Sequence, residues 1–390
     1  MPFAASLSTH AATDAALDDV CRQSLQMLDG QPDLALVFFS RHHVPNVETI
    51  GSTLNERLSA KCLLGCMGDS IVGGDREVEH RPAISLWLAH WARPVEMEPF
   101  CLELEQTPDG YSLLGWPDGI VTADVRSSAI LLLGDPTTFP ADLFLNQVNE
   151  DHQGLRVVGG MASGMRQEGE CRLIFNGRVR EGGAVGVLLQ GQFGLRGIVS
   201  QGCRPIGRPM VITKAEENLI LELGGKPPMA QLQEVWQNLS PRDQQLFQRG
   251  LHVGRVLNEY QDQFQRGDFL VRNVLGLDRD SGALAITDRV RVGQTVQFHV
   301  RDADTADEDL HELLQLHVCS HEKRPAGVIL FTCNGRGSKL FKQPDHDARA
   351  IRKEVGDVPL AGFFAAGELG PVGGQNFIHG FTASVVLFEE

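Results

Sequence analysis

The sequence predicts an α/β fold built from two tightly associated mixed modules. Three observations carry that expectation. Short apolar runs rich in β-formers alternate with stretches of helical periodicity, which argues layered strands and helices. One order of elements (strand, helix, strand ending in a Gly-rich loop, strand) recurs three times over roughly 55–65 residues. Finally, polar residues are concentrated among glycines at the ends of apolar runs, where glycine permits positive φ and close backbone approach.

The first repeat reads as strand Leu34–Ser40, a helix around Thr49–Ser59, the loop-bearing segment Leu63 to Gly74, and strand Ala83–Trp91. The second has strand Ala129–Leu133, a helix near Ala141–Asn149, Arg156–Gly164, and strand Ala184–Gln190. The third has Val328–Thr332, a helix near His346–Val355, Leu360–Gly374, and Thr382–Phe388. If this is a degenerate internal repeat, the three glycine-rich loops must end comparable strands.

The middle of the chain follows a different plan. Gly194–Gln201 and Met210–Thr213 read as strands bracketing a basic turn, Cys203-Arg204-Pro205-Ile206-Gly207-Arg208, with Asn218–Leu223 a further strand. Gly224-Gly225-Lys226-Pro227-Pro228 is the clearest linker signal and places a boundary near 224. Helices follow around Met229–Asn238 and Ser240–Gly250, the latter with Ser240 as N-cap and Pro241 in its first turn. Asp268–Asp278 and Ala283–Thr287 read as a hairpin, Val296–Val300 as a strand, and Thr305–Leu316 as an amphipathic helix. The expected organisation is an N-terminal extension with a helix (1–32), then modules 33–223 and 224–390.

Bulk properties narrow the function. The chain of 390 residues carries a net charge of −15, from 35 basic and 50 acidic residues, which repels phosphate backbones and anionic lipid. Nucleic acid and a membrane surface are therefore not the expected partners. No apolar run reaches the roughly 18–20 residues that span a bilayer, and residues 1–13 lack the pattern of a signal peptide. Eight cysteines without a Cys-x-x-Cys pair show no disulfide framework, so reduced thiols in a cytoplasm are expected.

The candidate chemistry lies near the C-terminus. Cys333 precedes Asn334-Gly335-Arg336-Gly337, a turn able to aim backbone N–H groups at an anion, with Arg336 adding a planar fork. The same turn also suits a strand end whose arginine pairs with Glu368. That carboxylate, among Gly367 and Gly370, is expected to be desolvated and to need a cation, either a ligand amine or Arg336 itself. His379 suits a ligand donor, a base, a metal ligand or a hydrogen-bonded structural residue. A Cys333–His379 nucleophile pair is the enzymatic alternative, although no orienting carboxylate or oxyanion hole is recognisable. Gly159, Gly160 and Ser163 belong to a loop without the Lys-Ser/Thr of a P-loop and are expected to wall the ligand pocket, with Asp69 in the corresponding loop of the first repeat. Metal ligation has little support: Cys62 and Cys66 have no partner pair, and His42-His43 and His317/His321 read as surface residues.

The order apolar strand, Cys-Asn-Gly-Arg-Gly (333–337), helix, Gly-Phe-Phe-x-x-Gly-Glu-x-Gly-Pro (362–371), His-Gly-x-Thr (379–382), closing strand resembles the C-terminal half of FIST-domain proteins. That family pairs an N-terminal with a C-terminal FIST module and includes bacterial sensory proteins and a eukaryotic F-box protein. Val157-Val158-Gly159-Gly160-Met161-Ala162-Ser163-Gly164 is similar to its glycine-rich turn, and the resemblance runs from about residue 33 to 388. It implies a cytoplasmic, non-enzymatic sensory protein of the bacterial stand-alone type. Its ligand would be an amino acid or related small carboxylate, with Arg336 taking the carboxylate and Glu368 the ammonium. No kinase, cyclase or DNA-binding segment is recognisable, so a separate signalling protein is the expected partner. No cofactor is expected; a haem-binding gas sensor is the alternative that the resemblance carries. On this reading Arg336→Ala weakens ligand binding without unfolding the chain.

Overall fold

A computed structural model of the chain describes residues 1–108, 110–261, 263–321 and 323–389. The described residues form a mixed α/β structure. They divide into two compact units: Met1–Ser200 with Leu310–Ile378 and Thr382–Glu390, and Gln201–Asp309 with His379–Phe381. The expected modules 33–223 and 224–390 are stretches of sequence, whereas each compact unit draws on both stretches.

Three sheets make the first unit, one for each repeat. In the first, Leu34–Ser40 and Cys62–Gly68 run parallel, joined by the helix Val47–Leu58, and Ile84–Ala89 returns antiparallel. In the second, Ser128–Gly134, the helix Ala141–Asp151, Arg156–Met161 and Ala184–Gly191 repeat that arrangement. In the third it is made by Pro325–Cys333, the helix His346–Val355, Leu360–Ala365 and Thr382–Glu389. The three glycine-rich loops thus follow equivalent strands, the second parallel strand of each repeat.

Between that second strand and the returning one, every repeat holds a hairpin, and the hairpin pairs in another repeat's sheet. Ser70–Gly73 and Arg76–Glu79 of the first repeat extend the third sheet, with Ile71 opposite Phe363. Glu368–Val372 and Gln375–His379 of the third extend the second sheet, with Glu368 opposite Gly160. Leu173–Phe175 and Arg178–Arg180 of the second extend the first sheet, with Leu173 opposite Cys66. The exchange is cyclic. A further strand flanks each returning strand: Phe3–Ser8, Val95–Thr107 and Gly194–Gln201 respectively. The segment 1–32 therefore holds not only the helix Thr13–Met27 but also a sheet strand that the sequence reading missed.

Alternation along the parallel strands explains why they read as continuous apolar runs. Ala129, Leu131 and Leu133 join the core shared by all three sheets, while Ile130 and Leu132 pack under Phe144, Leu145 and Val148 of the covering helix. Ile329 and Phe331 face the shared core, and Val328 and Leu330 pack against Leu310, Leu314, Ala348 and Ile351. At the centre, the rings of Phe38, Phe331 and Phe363 contact one another at centroid distances of 5.2–6.3 Å. Gly160 lies against Phe331, Phe363 and Ala365, and a Cβ on Gly159 would fall 1.8 Å from the Leu132 carbonyl oxygen. These two glycines, expected in a pocket wall, are core strand positions whose missing side chains allow close packing.

The second unit is a closed six-stranded barrel in the order Cys203–Glu216, Leu219–Leu223, Leu284–Ile286, Phe269–Leu277, Leu251–Val256, Thr295–Arg301. Its helices are Pro228–Gln237 and Pro241–Arg249, and the Ser240 side chain accepts from the Asp243 N–H as the N-cap. The basic turn expected at 203–208 is instead the start of the longest barrel strand. There Arg204 pairs with Asp302 at 2.7 Å and with Asp243. The expected linker at 224–228 is a tight turn closed by a Leu223–Lys226 bridge. Among the described residues no helix is long and apolar enough to cross a membrane.

Because the strands Pro325–Cys333, Leu360–Ala365 and Thr382–Glu389 of sheet three and one hairpin of sheet two come from beyond residue 223, a fragment of residues 1–223 has unpaired strand edges and an uncovered core. Expressed alone it should be aggregated or expanded by size exclusion and rapidly proteolysed. Co-expression with residues 224–390 should restore a compact complex. Cooperative unfolding of the fragment alone would contradict the exchange.

Candidate functional site

The loops that follow the second parallel strands are stitched together where those strands end. The Asp69 N–H donates to Ser163 Oγ at 2.8 Å, and Ser163 Oγ donates in turn to the Phe364 carbonyl. The Ser163 N–H reaches Met67 O at 3.2 Å, and the Ala366 N–H reaches Met161 O at 3.0 Å. Carboxyl ends of parallel strands are where α/β sheets place ligands. Here, however, Ser163 and the Asp69 amide are committed to holding repeats together. The Asp69 carboxylate lies 3.6 Å from His80 Nδ1 and 3.9 Å from Lys339 Nζ.

The turn after Cys333 was expected to cradle an anion, but protein groups occupy its donors. The Gly335 N–H points at Cys333 Sγ (3.4 Å) and the Arg336 N–H at Cys333 O (2.8 Å). Gly337, at φ +58°, starts the short helical turn Gly337–Lys339, where Ser338 N and Oγ both donate to Glu79. The carboxylate at this turn is therefore the protein's own. Lys339 closes it by donating to Asn334 O at 3.0 Å.

Arg336 pairs with neither a solvent-facing anion nor Glu368. Its side chain is fully buried and grips Asp347 through two hydrogen bonds of 2.8 Å, from Nε and Nη2, while lying over the Phe341 ring at 5.1 Å. Asp347 also accepts from Thr332 Oγ1 at 2.6 Å and faces His346 Nδ1 at 2.9 Å. Glu77, on the hairpin lent by the first repeat, receives the Asp347 and Ala348 N–H groups at 2.8 and 3.0 Å, capping the helix that begins at His346. In return its own N–H donates to Asp345. Glu77 was missed because the helix it caps belongs to another repeat, and Asp347 because a helix start rich in acids and histidine does not show which acid Arg336 will grip.

Glu368 is completely buried and accepts from Thr382 Oγ1 at 2.7 Å and Thr382 N at 3.3 Å. Burial pushes its carboxyl up to about 8 against those hydrogen bonds, the nearby Arg336 charge and a hydrogen bond from the Cys333 thiol. Burial, with the Asp347 charge next, likewise pushes Glu77 up to about 8. Asp347 goes the other way: burial favours its neutral form, but the Arg336 guanidinium beside it holds the carboxyl well below the usual range. Among the described residues, Arg336 Nη1 and Asn334 Oδ1 are buried without a hydrogen-bond partner, and Glu368 Oε1 has none but the weak Cys333 thiol.

The structure thus brings Asp69, Ser163, Cys333, Asn334, Arg336, Gly337 and Glu368 to one end of the first unit. His379, buried, belongs with Gly380 and Phe381 to the second compact unit. Among the described residues no cluster of three or more His, Cys, Asp or Glu side chains is placed to hold a metal. His43, read as a surface residue, is buried with Nδ1 3.0 Å from Thr13 Oγ1.

Removing Arg336 strands a buried Asp347, so Arg336→Ala should cost about 3–5 kcal/mol in urea unfolding, and the expectation that it spares stability is withdrawn. Glu368 and Glu77 lose their protons at about pH 4 when unfolded but keep them to about pH 8 when folded. Between those values the native state binds more protons, so their contribution to stability falls as pH rises. Asp347 contributes above its unfolded value and loses that contribution only as pH falls below it. Glu368→Gln should therefore flatten the decline in unfolding free energy between about pH 5 and pH 8.5; an unchanged slope would contradict the buried proton.

Two family patterns cover the chain: the FIST N domain over residues 33–226 and the FIST C domain over 230–371. An uncharacterized protein of Mycobacterium bovis is 41% identical over 381 residues, which is 98% of this chain and 97% of that protein. Another uncharacterized protein, of Mycobacterium tuberculosis, is 41% identical over 374 residues, 96% of both. FIST domains are associated with sensory signalling and small-ligand binding and are not known as enzymes. From end to end, then, the chain belongs to the FIST family, an N domain followed by a C domain.

Proposed function

We propose that this protein is a cytoplasmic sensor of a small zwitterion, an amino acid or related carboxylate, that signals through a separate protein. One observation carries the reading: among the described residues, Arg336 Nη1 and Asn334 Oδ1 are buried without a hydrogen-bond partner, and Glu368 Oε1 has none but the weak Cys333 thiol beside its carboxyl. Each such atom costs roughly 1–3 kcal/mol unless something satisfies it. A carboxylate accepts from Nη1, and an ammonium donates to Glu368 and Asn334. With the rest of the Arg336 fork on Asp347, the ligand carboxylate is held by one nitrogen rather than bidentately.

The raised Glu368 carboxyl gives the proposal a signature. At neutral pH it holds a proton, which an arriving ammonium displaces, so binding releases about one proton. A thermal-shift screen of free amino acids and small carboxylates, with the visible spectrum recorded first, should yield a ligand that raises the midpoint. Calorimetry of that ligand in buffers of different ionisation enthalpy should show the proton release. Glu368→Gln should abolish it and weaken binding about tenfold or more. A flat screen overturns the zwitterion reading, and a Soret band replaces it with the haem alternative.

A further inference from the structure

The parallel strands of the first unit have a second end, where they begin, and a cavity of about 680 Å³ lies there. Its walls come from segments distant in sequence, among them Phe3 of the first strand and Glu389 of the last. The others are the turn after Ile84–Ala89 (Trp91 to Arg93), the approach to Ser128–Gly134 (Arg126), the turn at Gln192–Phe193, and Lys323 ahead of Pro325–Cys333. None belongs to the Glu368 cluster, which lies where the strands end.

The lining is chemically lopsided. Three cations, Arg93, Arg126 and Lys323, line one cavity on a chain whose net charge is −15, and Arg126 also lies 3.4 Å from the Asp124 carboxylate. The single lining carboxylate, Glu389, is already paired with Arg196 at 3.0 Å. Arg93 has no carboxylate partner among the described residues and bonds only the neutral side chain of Gln192, at 2.5 Å. Phe3, Trp91 and Phe193 give the wall an aromatic part. Trp91 and Phe193 have ring centroids 6.4 Å apart, and the indole Nε1 of Trp91 is buried without a hydrogen-bond partner among the described residues. Solvated surface arginines alone would be unremarkable. A cavity of ligand size, an aromatic wall and a local reversal of charge together specify a guest.

We infer that this cavity is a second binding site, for a planar organic anion whose ring lies against Trp91 and Phe193 and whose carboxylate or phosphate sits among Arg93, Arg126 and Lys323. Concentrated cations hold the anionic group, and the unsatisfied indole N–H gives the ring an acceptor to meet. The site is independent of the zwitterion proposal and stands or falls without it.

The test titrates the full chain with naphthoate, with AMP, and with neutral naphthalene-methanol as control, followed by calorimetry. One equivalent of naphthoate or AMP should bind saturably, more weakly at high salt, with the alcohol binding far less. Preference for naphthoate assigns a carboxylate, preference for AMP a phosphate. The paired exposed substitutions Arg93→Ala and Arg126→Ala should weaken binding about tenfold or more without moving the unfolding midpoint. Phe193→Ala should also weaken it, and Glu368→Gln should leave it unchanged. Binding of neither anion, equal binding of the alcohol, or affinity indifferent to the arginine substitutions would overturn the assignment.

Discussion

A pair of parallel strands leaves the outer edge of its second strand with unpaired N–H and C=O groups, and in this fold another repeat closes that edge. Gly160 meets Glu368, Phe363 meets Ile71, and Cys66 meets Leu173, each across a boundary between repeats. Because the exchange runs in a circle, no repeat can complete its sheet without the others. The shared core has the same character: Phe38, Phe331 and Phe363 come from two repeats and are buried only when both are in place.

The exchanged hairpins also carry the charged groups. Glu77 and Glu79 arrive on the first repeat's hairpin, where one caps a helix of the third repeat and the other fills the turn at Gly337. Glu368 begins the third repeat's hairpin, beside the Arg336 cluster. One buried cation is thus surrounded by three buried carboxyls, Asp347, Glu77 and Glu368. Low dielectric favours local neutrality. The guanidinium holds the nearest carboxylate, Asp347, in its ionised form, and the other two keep their protons towards pH 8. The same backbone exchange that completes the sheets therefore determines which acid is charged.

Much of this was legible before any coordinates. Continuous apolar runs such as Leu34–Ser40 and Ala184–Gln190 located the buried strands, since a strand covered on both faces has no polar side. The helix His346–Val355 and the Ser240 cap followed from periodicity and capping chemistry alone. Hairpin strands as short as Leu173–Phe175 escaped notice because three residues carry no periodicity, and Phe3–Ser8 was taken for an extension. Gly159 and Gly160 were misread because a glycine that admits a ligand and one that admits a neighbouring strand look identical in one dimension.

By itself, then, the sequence determined the α/β class, the three repeats and the residue types that gather near the C-terminus, all of which rest on local pattern and composition. Only the tertiary structure decided partners. Arg336 stands 11 residues from Asp347, its partner, and 32 from Glu368, the candidate that a reader of the motifs would choose. Glu77 reaches its helix across 270 residues. Which acid a buried cation neutralises, and which polar atoms remain for a ligand, depends on how strand edges from separate repeats find one another. Pairing of that kind is a property of the folded chain, because the free energy of a buried charge is set by everything around it.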